Sequence, residues 1–177
     1  MTYIFSGGEA VTIPYTVPAW SRYTVDVNAT VGPEQDVAIT VDSDQPIVAE
    51  RPMYFDCHSM WDGGSISIGA AAPANIWLFA EGTTRTGFEE WLCLLNPGDV
   101  AAPVSVEYAF GDATTCTQGI LLAPGQRYSV FVNEVVGPDK DVSIKVVSDE
   151  GIVAERSMYF SYHDVWDGGH NALGSLP

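Results

Sequence analysis

Basic residues are scarce in this chain. Only 7 Lys and Arg stand against 23 Asp and Glu, for a net charge of −16. A duplex phosphate backbone is gripped through Lys and Arg, so this balance argues against nucleic acid as a partner. It argues against an anionic membrane surface for the same reason. Long apolar runs are missing too. None reaches the roughly 18 residues that span a bilayer, so no membrane insertion is expected. The start, Met1-Thr-Tyr-Ile-Phe5, lacks the basic region and apolar stretch of a signal peptide and reads as a cut or mature end. No nucleophile elbow, phosphate loop, dinucleotide fingerprint or metalloprotease helix occurs. The chain therefore reads as a non-enzyme with no cofactor of its own. No stretch carries convincing helical periodicity, and Asn133 to Val136 allows a single helical turn at most.

What is present is a core-forming composition. Hydrophobic residues make up 46%, enough to exclude disorder. Lys is rare while Thr, Val, Gly, Tyr and Trp are plentiful, as in extracellular all-β proteins. More telling is an internal repeat. Arg22-Tyr-Thr-Val-Asp-Val-Asn28 returns as Arg127-Tyr-Ser-Val-Phe-Val-Asn133. Ile47 to Phe55 returns as Ile152 to Phe160, with Ser157 for Pro52, and Trp61-Asp-Gly-Gly64 returns as Trp166-Asp-Gly-Gly169. The offset is 105 throughout, and 31 of the 72 pairs between 1–72 and 106–177 are identical. Residues 73–105, opening on the linker-like Pro73-Ala74-Asn75, occur once. The expected division is 1–72, a repeat lacking two strands, and 73–177, a complete repeat.

Alternation of apolar and polar residues predicts strands. Tyr23, Val25 and Val27 face one way, as do Val37, Ile39 and Val41. Their equivalents Tyr128, Val130 and Val132, with Val142, Ile144 and Val146, repeat the pattern, and all twelve are expected to point inward. Met1–Phe5, Val11–Val17 and Ile47–Phe55 supply further strands, with Pro52 marking an edge or a bulge. Residues 77–80 and 90–95 add two more. About seven strands in about 105 residues predict an all-β fold of immunoglobulin-like antiparallel β-sandwich modules in tandem.

Several constellations invite a chemical reading. Arg22, Arg51, Arg127 and Arg156 recur between the copies, and Glu50 and Glu155 are natural partners for half-buried structural ion pairs. His163, Asp167 and His170 form a weak metal candidate, because His58 and Asp62 repeat the first two while Ser65 replaces the third. Ca²⁺ has oxygens on offer in Asp42-Ser43-Asp44 and Asp139-Lys140-Asp141, without EF-hand spacing. Trp61 and Trp166 precede Asp-Gly-Gly, and each either plugs the end of a sandwich, contacts a neighbouring module or stacks on a glycan. Three cysteines leave at least one unpaired or bonded between chains. Cys93 is expected near Cys116 if 73–105 belongs to the second copy, and near Cys57 if it folds back on the first.

The stretches Trp77-Leu-Phe-Ala-Glu-Gly-Thr-Thr84, Gly87-Phe-Glu-Glu-Trp-Leu-Cys-Leu-Leu-Asn-Pro97, Glu155-Arg-Ser-Met-Tyr-Phe160 and Trp166-Asp-Gly-Gly-His170 resemble a tandem module of long bacterial surface and secreted proteins. The resemblance covers 73–177, and 1–72 matches its later part, departing at Ser65. It implies an extracellular all-β repeat, often strung in arrays, and carries over no catalytic residue. The expected role is a structural module of a surface array or filament, with a carbohydrate-binding or adhesive module as the alternative. Expected partners are other copies head-to-tail or neighbouring repeats of a longer chain. The first copy lacks strands rich in Trp, Leu and Phe, so a neighbour is expected to complete it, whether the chain is a slice of an array or a subunit.

Overall fold

In the computed structural model, which describes residues 1–163 and 165–177, each copy builds its strands in the same order. The first contributes β1 (Thr2–Phe5), β2 (Ala10–Thr12), a single turn α1 (Val27–Val31), β3 (Val37–Thr40), β4 (Glu50–Cys57) and β5 (Trp61–Ile68). The unique segment supplies β6 (Ala74–Phe79) and β7 (Phe88–Leu95). The second copy then gives β8 (Ala102–Phe110), β9 (Thr115–Leu122), β10 (Arg127–Phe131), α2 (Val132–Val136), β11 (Val142–Tyr162) and β12 (Trp166–Leu173). The fold is all-β; among the described residues every strand pairing is antiparallel and helix is confined to the two five-residue turns. Asp26 caps α1 by accepting the Ala29 N–H at 3.0 Å, and Gly32 leaves the turn at φ 91°, a conformation that favours glycine.

Residues 73–177 form two packed layers. β11 is 21 residues long and serves both. Its first part, Val142–Ser148, pairs with β8 and β6, while Val153–Phe160 pairs with β7 and the stretch from Glu155 pairs with β12. The register breaks between Val147 and Ile152, where the strand crosses from one layer to the other. Alternation in β8 buries Val104, Val106 and Tyr108. They meet Trp77, Leu92, Leu94, Ile144 and Ile152 in one apolar core. Trp77 also donates its indole N–H to the Ile152 carbonyl at 2.9 Å, so the largest core side chain leaves no polar atom unpaired.

The first copy shows what 73–105 does by lacking its counterpart. β10 pairs only with β7. No equivalent of β7 exists in 1–72, and the expected strand at 22–28 is not formed: residues 21–26 are irregular and 27–31 are helical. β11 likewise shortens into β3 and β4, because 41–49 have no equivalent of β6 or β7 to pair with. Side chains follow the backbone. Val146 and Ile152 are fully buried at 0% exposure, whereas their equivalents Val41 and Ile47 are 40% and 47% exposed. Of the twelve positions expected inside, Val130, Val132, Val142, Ile144 and Val146 are buried. Tyr23, Val41 and Tyr128 are exposed, and Val25, Val27, Val37 and Ile39 are only half-buried. The strand expected at Val11–Val17 stops at Thr12, and Val11 and Val17 are exposed. Pro52 sits on β4, which pairs with β5 alone and so tolerates a missing N–H.

Val130→Asp places a charge in a closed core and is expected to cost at least about 3 kcal/mol of stability. Val25→Asp, at the equivalent position of the open copy, should cost less than about 1 kcal/mol. Chemical denaturation of the two variants checks this, and equal losses would mean both copies close their cores alike.

Candidate functional site

The seam between the copies gathers most of the side-chain chemistry. β4 and β5 form an isolated hairpin, with no sheet hydrogen bond to 73–177 among the described residues. Alternation gives it two faces. Arg51, Met53, Phe55, Cys57, Trp61 and Gly63 are half-buried on one face, while Tyr54 and Ile66 lie open on the other. The half-buried face lies against the outside of the second copy, formed by β7, β11 and β12. β7 sends Leu92 and Leu94 inward, so Glu89, Trp91 and Cys93 point out toward the seam.

Four contacts hold the hairpin there. Arg51 Nη2 donates to Glu155 Oε2 at 2.9 Å. Phe55 meets Tyr159 edge-on with centroids 4.9 Å apart. Asn171 Nδ2 donates to Ser65 Oγ at 3.1 Å, and His58 Nε2 lies 2.8 Å from Glu89 Oε1. The close approach depends on glycine: a Cβ on Gly63 would sit 3.4 Å from Gly168 Cα, and one on Gly169 would meet Phe55 Cζ at 2.6 Å. A fifth, looser contact joins Arg127 to Asp36 at 3.8 Å.

The arginine reading is met at one pair, Arg51 with Glu155, and needs correction elsewhere. Glu50 and Arg51 are consecutive in an extended strand, as are Glu155 and Arg156, so each pair points to opposite faces and cannot close on itself. Arg51 pairs with Glu155, one of the two expected partners, across the copies. Glu50 is exposed and makes no ion pair among the described residues. Arg22 reaches only Thr24 Oγ1 at 3.3 Å. Arg156 turns inward to lie buried with Glu90, a polar pair that sequence reasoning missed, and its Nη2 reaches out to the exposed His170.

Glu90 is completely buried, between core residues of β7, with neither carboxylate oxygen hydrogen-bonded to a side chain. Burial pushes its pKa up to about 7, against the opposing pull of the Arg156 guanidinium and the Thr83 backbone N–H. The Glu90 backbone N–H is clamped by Asn133 Oδ1 at 2.9 Å, and Asn133 Nδ2 donates to the Phe88 carbonyl at 2.8 Å. Gly82 is the wall: a Cβ there would lie 2.3 Å from Glu90 Oε1. Burial, and then Arg156 at 3.4 Å from its Nε2, lower the pKa of His170.

That environment also removes His170 from the metal candidate. Asp167 and His170 are three apart on β12, a spacing that shares a face in a helix and splits across the two faces of a strand. His163 packs tilted against Tyr162, centroids 4.1 Å apart. The acidic stretches proposed for Ca²⁺ do not gather either. Asp42, Ser43 and Asp44 are exposed, and Asp141 is paired with Arg85.

The cysteines Cys57, Cys93 and Cys116 are all free. Cys116 lies on β9 beside the core, whereas Cys93 faces the seam with Sγ 3.6 Å from Ser129 Oγ, so the expected approach of Cys93 to Cys116 is not made. Cys57 is the thiol brought to the second copy. Burial first, then Glu89 and Asp56, raise its pKa. Among the described residues, Cys57, His58 and Glu89 place their ligand atoms within 4.8 Å of one another. The tryptophans part company: Trp61 is half-buried in the seam, edge-on to His58 at 5.8 Å, while Trp166 is 62% exposed and stacks on Tyr162 at 6.1 Å. Two open grooves of about 330 and 390 Å³ lie elsewhere on the surface, and neither includes the seam or Glu90. No helix among the described residues is long and apolar enough to cross a membrane.

No family model matches the chain, and no curated protein does. Among solved structures, the crystal structure of Thermotoga maritima 1070 is similar at a TM-score of 0.55 and 20% identity, covering 59% of this chain and 96% of that one. The shared portion is about as long as 73–177, and at this identity the likeness concerns fold alone. The Anabaena sensory rhodopsin transducer aligns at 22% identity over 50% of this chain and 99% of its own, with a TM-score of 0.44.

Because the raised pKa belongs to an acid, folded protein holds more protons than unfolded protein between the ordinary carboxylate range and about pH 7. Stability therefore falls as pH rises through that window. Relative to Glu90→Gln, wild type should lose roughly 3 kcal/mol between about pH 4 and pH 8. Urea unfolding of both proteins across this range checks it, and a constant difference would show that Glu90 ionises as freely folded as unfolded.

Proposed function

We propose that this chain is a non-enzymatic extracellular structural module, built to be continued by other copies of itself in an array or filament. One observation carries the reading. Positions closed by β6 and β7 in the second copy stand open at Val41 and Ile47 in the first. The occupant they fit is a stretch of the same kind as 73–105, whose Trp77, Phe79, Leu92 and Leu94 cover the equivalent positions in the second copy. It comes either from a copy earlier in a longer chain or from a neighbour that adds strands to an open edge. A contact of this head-to-tail kind does not close on itself and so propagates. The strong negative charge keeps side-by-side neighbours apart. The resemblance to bacterial surface repeats supports an extracellular location.

Fusing a second copy of 73–105 directly ahead of Met1 reproduces the natural junction between 105 and 106. The expected result is new amide protection over 22–28 and 41–49 and a first copy that melts cooperatively at higher temperature. If those amides are protected already in the unfused chain, or stay unprotected in the fusion, the first copy needs no such partner.

A second reading rests on Trp166. Its indole is 62% exposed and stacked on Tyr162, with His163 tilted against the tyrosine, which makes an exposed aromatic platform at the tip of the β11–β12 hairpin. Such a platform suits a pyranose ring. Titration with neutral, uronic-acid and N-acetylhexosamine polysaccharides is expected to quench tryptophan fluorescence, with an affinity at least about tenfold weaker in Trp166→Ala. An unchanged spectrum with all three classes removes the carbohydrate reading.

A further inference from the structure

We propose that Cys57, His58 and Glu89 form a zinc-class metal site that fastens the β4–β5 hairpin of the first copy to β7. The inference stands apart from the strand-addition reading, because it needs only the seam as it is. Consecutive residues in a strand point to opposite faces. Here the strand ends at Cys57, and His58 and Ser59 adopt left-handed φ of 57° and 56°. That turn breaks the alternation and brings Cys57 and His58 to the same neighbour. The neighbour is Glu89, 31 residues further along and on another layer, with Oε1 2.8 Å from His58 Nε2.

The donor set is one thiol, one imidazole and one carboxylate. This mixture suits Zn²⁺, which accepts sulfur, nitrogen and oxygen in one tetrahedron, and ill suits Ca²⁺ or Mg²⁺, which demand oxygen. Zinc bonds of about 2.0–2.3 Å put neighbouring donors about 3.3–3.8 Å apart. The three ligand atoms already lie within 4.8 Å of one another, so small side-chain rotations are enough. The His58 side chain is 54% exposed, which leaves one side open for water as a fourth ligand. Trp61, edge-on to His58 at 5.8 Å, shields another side. The site belongs to this seam and not to the repeat. At the equivalent turn Tyr162 replaces Cys57, and no thiol accompanies His163. Binding exchanges the His58–Glu89 hydrogen bond for three bonds to metal: the Nε2 proton of His58 moves to Nδ1 or to solvent, and the Cys57 proton passes to solvent as the metal–sulfur bond forms.

The test uses the whole chain, reduced and stripped of metal, titrated first with Co²⁺ and then with Zn²⁺. The expected result is a thiolate-to-cobalt charge-transfer band that saturates at one equivalent and disappears as Zn²⁺ displaces Co²⁺. Cys57→Ser should abolish the band. His58→Ala and Glu89→Gln should each weaken Zn²⁺ binding by at least about tenfold, and His163→Ala should leave it unchanged. Glu89→Gln is isosteric, and far-ultraviolet circular dichroism confirms that each variant keeps the fold. Absence of the band, its persistence in Cys57→Ser, or Zn²⁺ affinity insensitive to both His58→Ala and Glu89→Gln would overturn the site and leave a simple His58–Glu89 ion pair.

Discussion

A strand exists only where its backbone N–H and C=O groups find partners, and in this chain those partners are rationed. There are two copies of most strands and one copy of β6 and β7. β7 alone gives β10 its ladder and also lines the second half of β11, so much of the second copy rests on it. Where the equivalent of β7 is missing, closely matching sequences remain irregular. The comparison is unusually direct, because both outcomes occur in one molecule: Arg127 to Phe131 is a strand and Arg22 to Asp26 is not.

This explains which parts of the fold were legible in the sequence. Alternation reports which face of a strand is apolar, and it read Val130, Val142, Ile144 and Val146 correctly. It carries no information about whether a partner strand is present, so it overreached at Val41, and it misplaced Tyr23 and Tyr128, which are exposed with or without that partner. The repeat itself held that missing information, since the offset of 105 shows that 73–105 has no counterpart. What no pattern disclosed was that β11 runs through both layers. The crossing lies at the register break between Val147 and Ile152, where Gly151 packs against Pro73, a residue that reads locally as part of a linker.

The chemistry was less legible, for related reasons. Recurrence drew attention to the arginines and to His163, Asp167 and His170, but spacing had to be converted through the period of a strand. Once it is, Arg51 must look away from Glu50 and toward another layer. The Cys57-His58-Glu89 cluster combines a turn whose left-handed histidine recurs at His163 with a thiol and a glutamate that do not recur. Glu90 was hidden in plain view, the second of two consecutive glutamates in an otherwise apolar strand. Alternation assigns one of them to the core, and the presumption that carboxylates stay outside obscured it. Arg156 then becomes its neighbour, because Leu92 and Arg156 face each other across the β7–β11 ladder.

The isolated hairpin has a mechanical consequence. No sheet hydrogen bond among the described residues ties β4 and β5 to the second copy, and the seam is held by side chains packed over glycine. β11, by contrast, is bonded along both edges in both layers. Tension applied along the chain therefore falls first on the seam, which peels one contact at a time, and only later on β11, whose ladders must shear together. The linkage between copies acts as a compliant joint on a stiff unit, lengthening under load while the layers of 73–177 beyond it keep their shape.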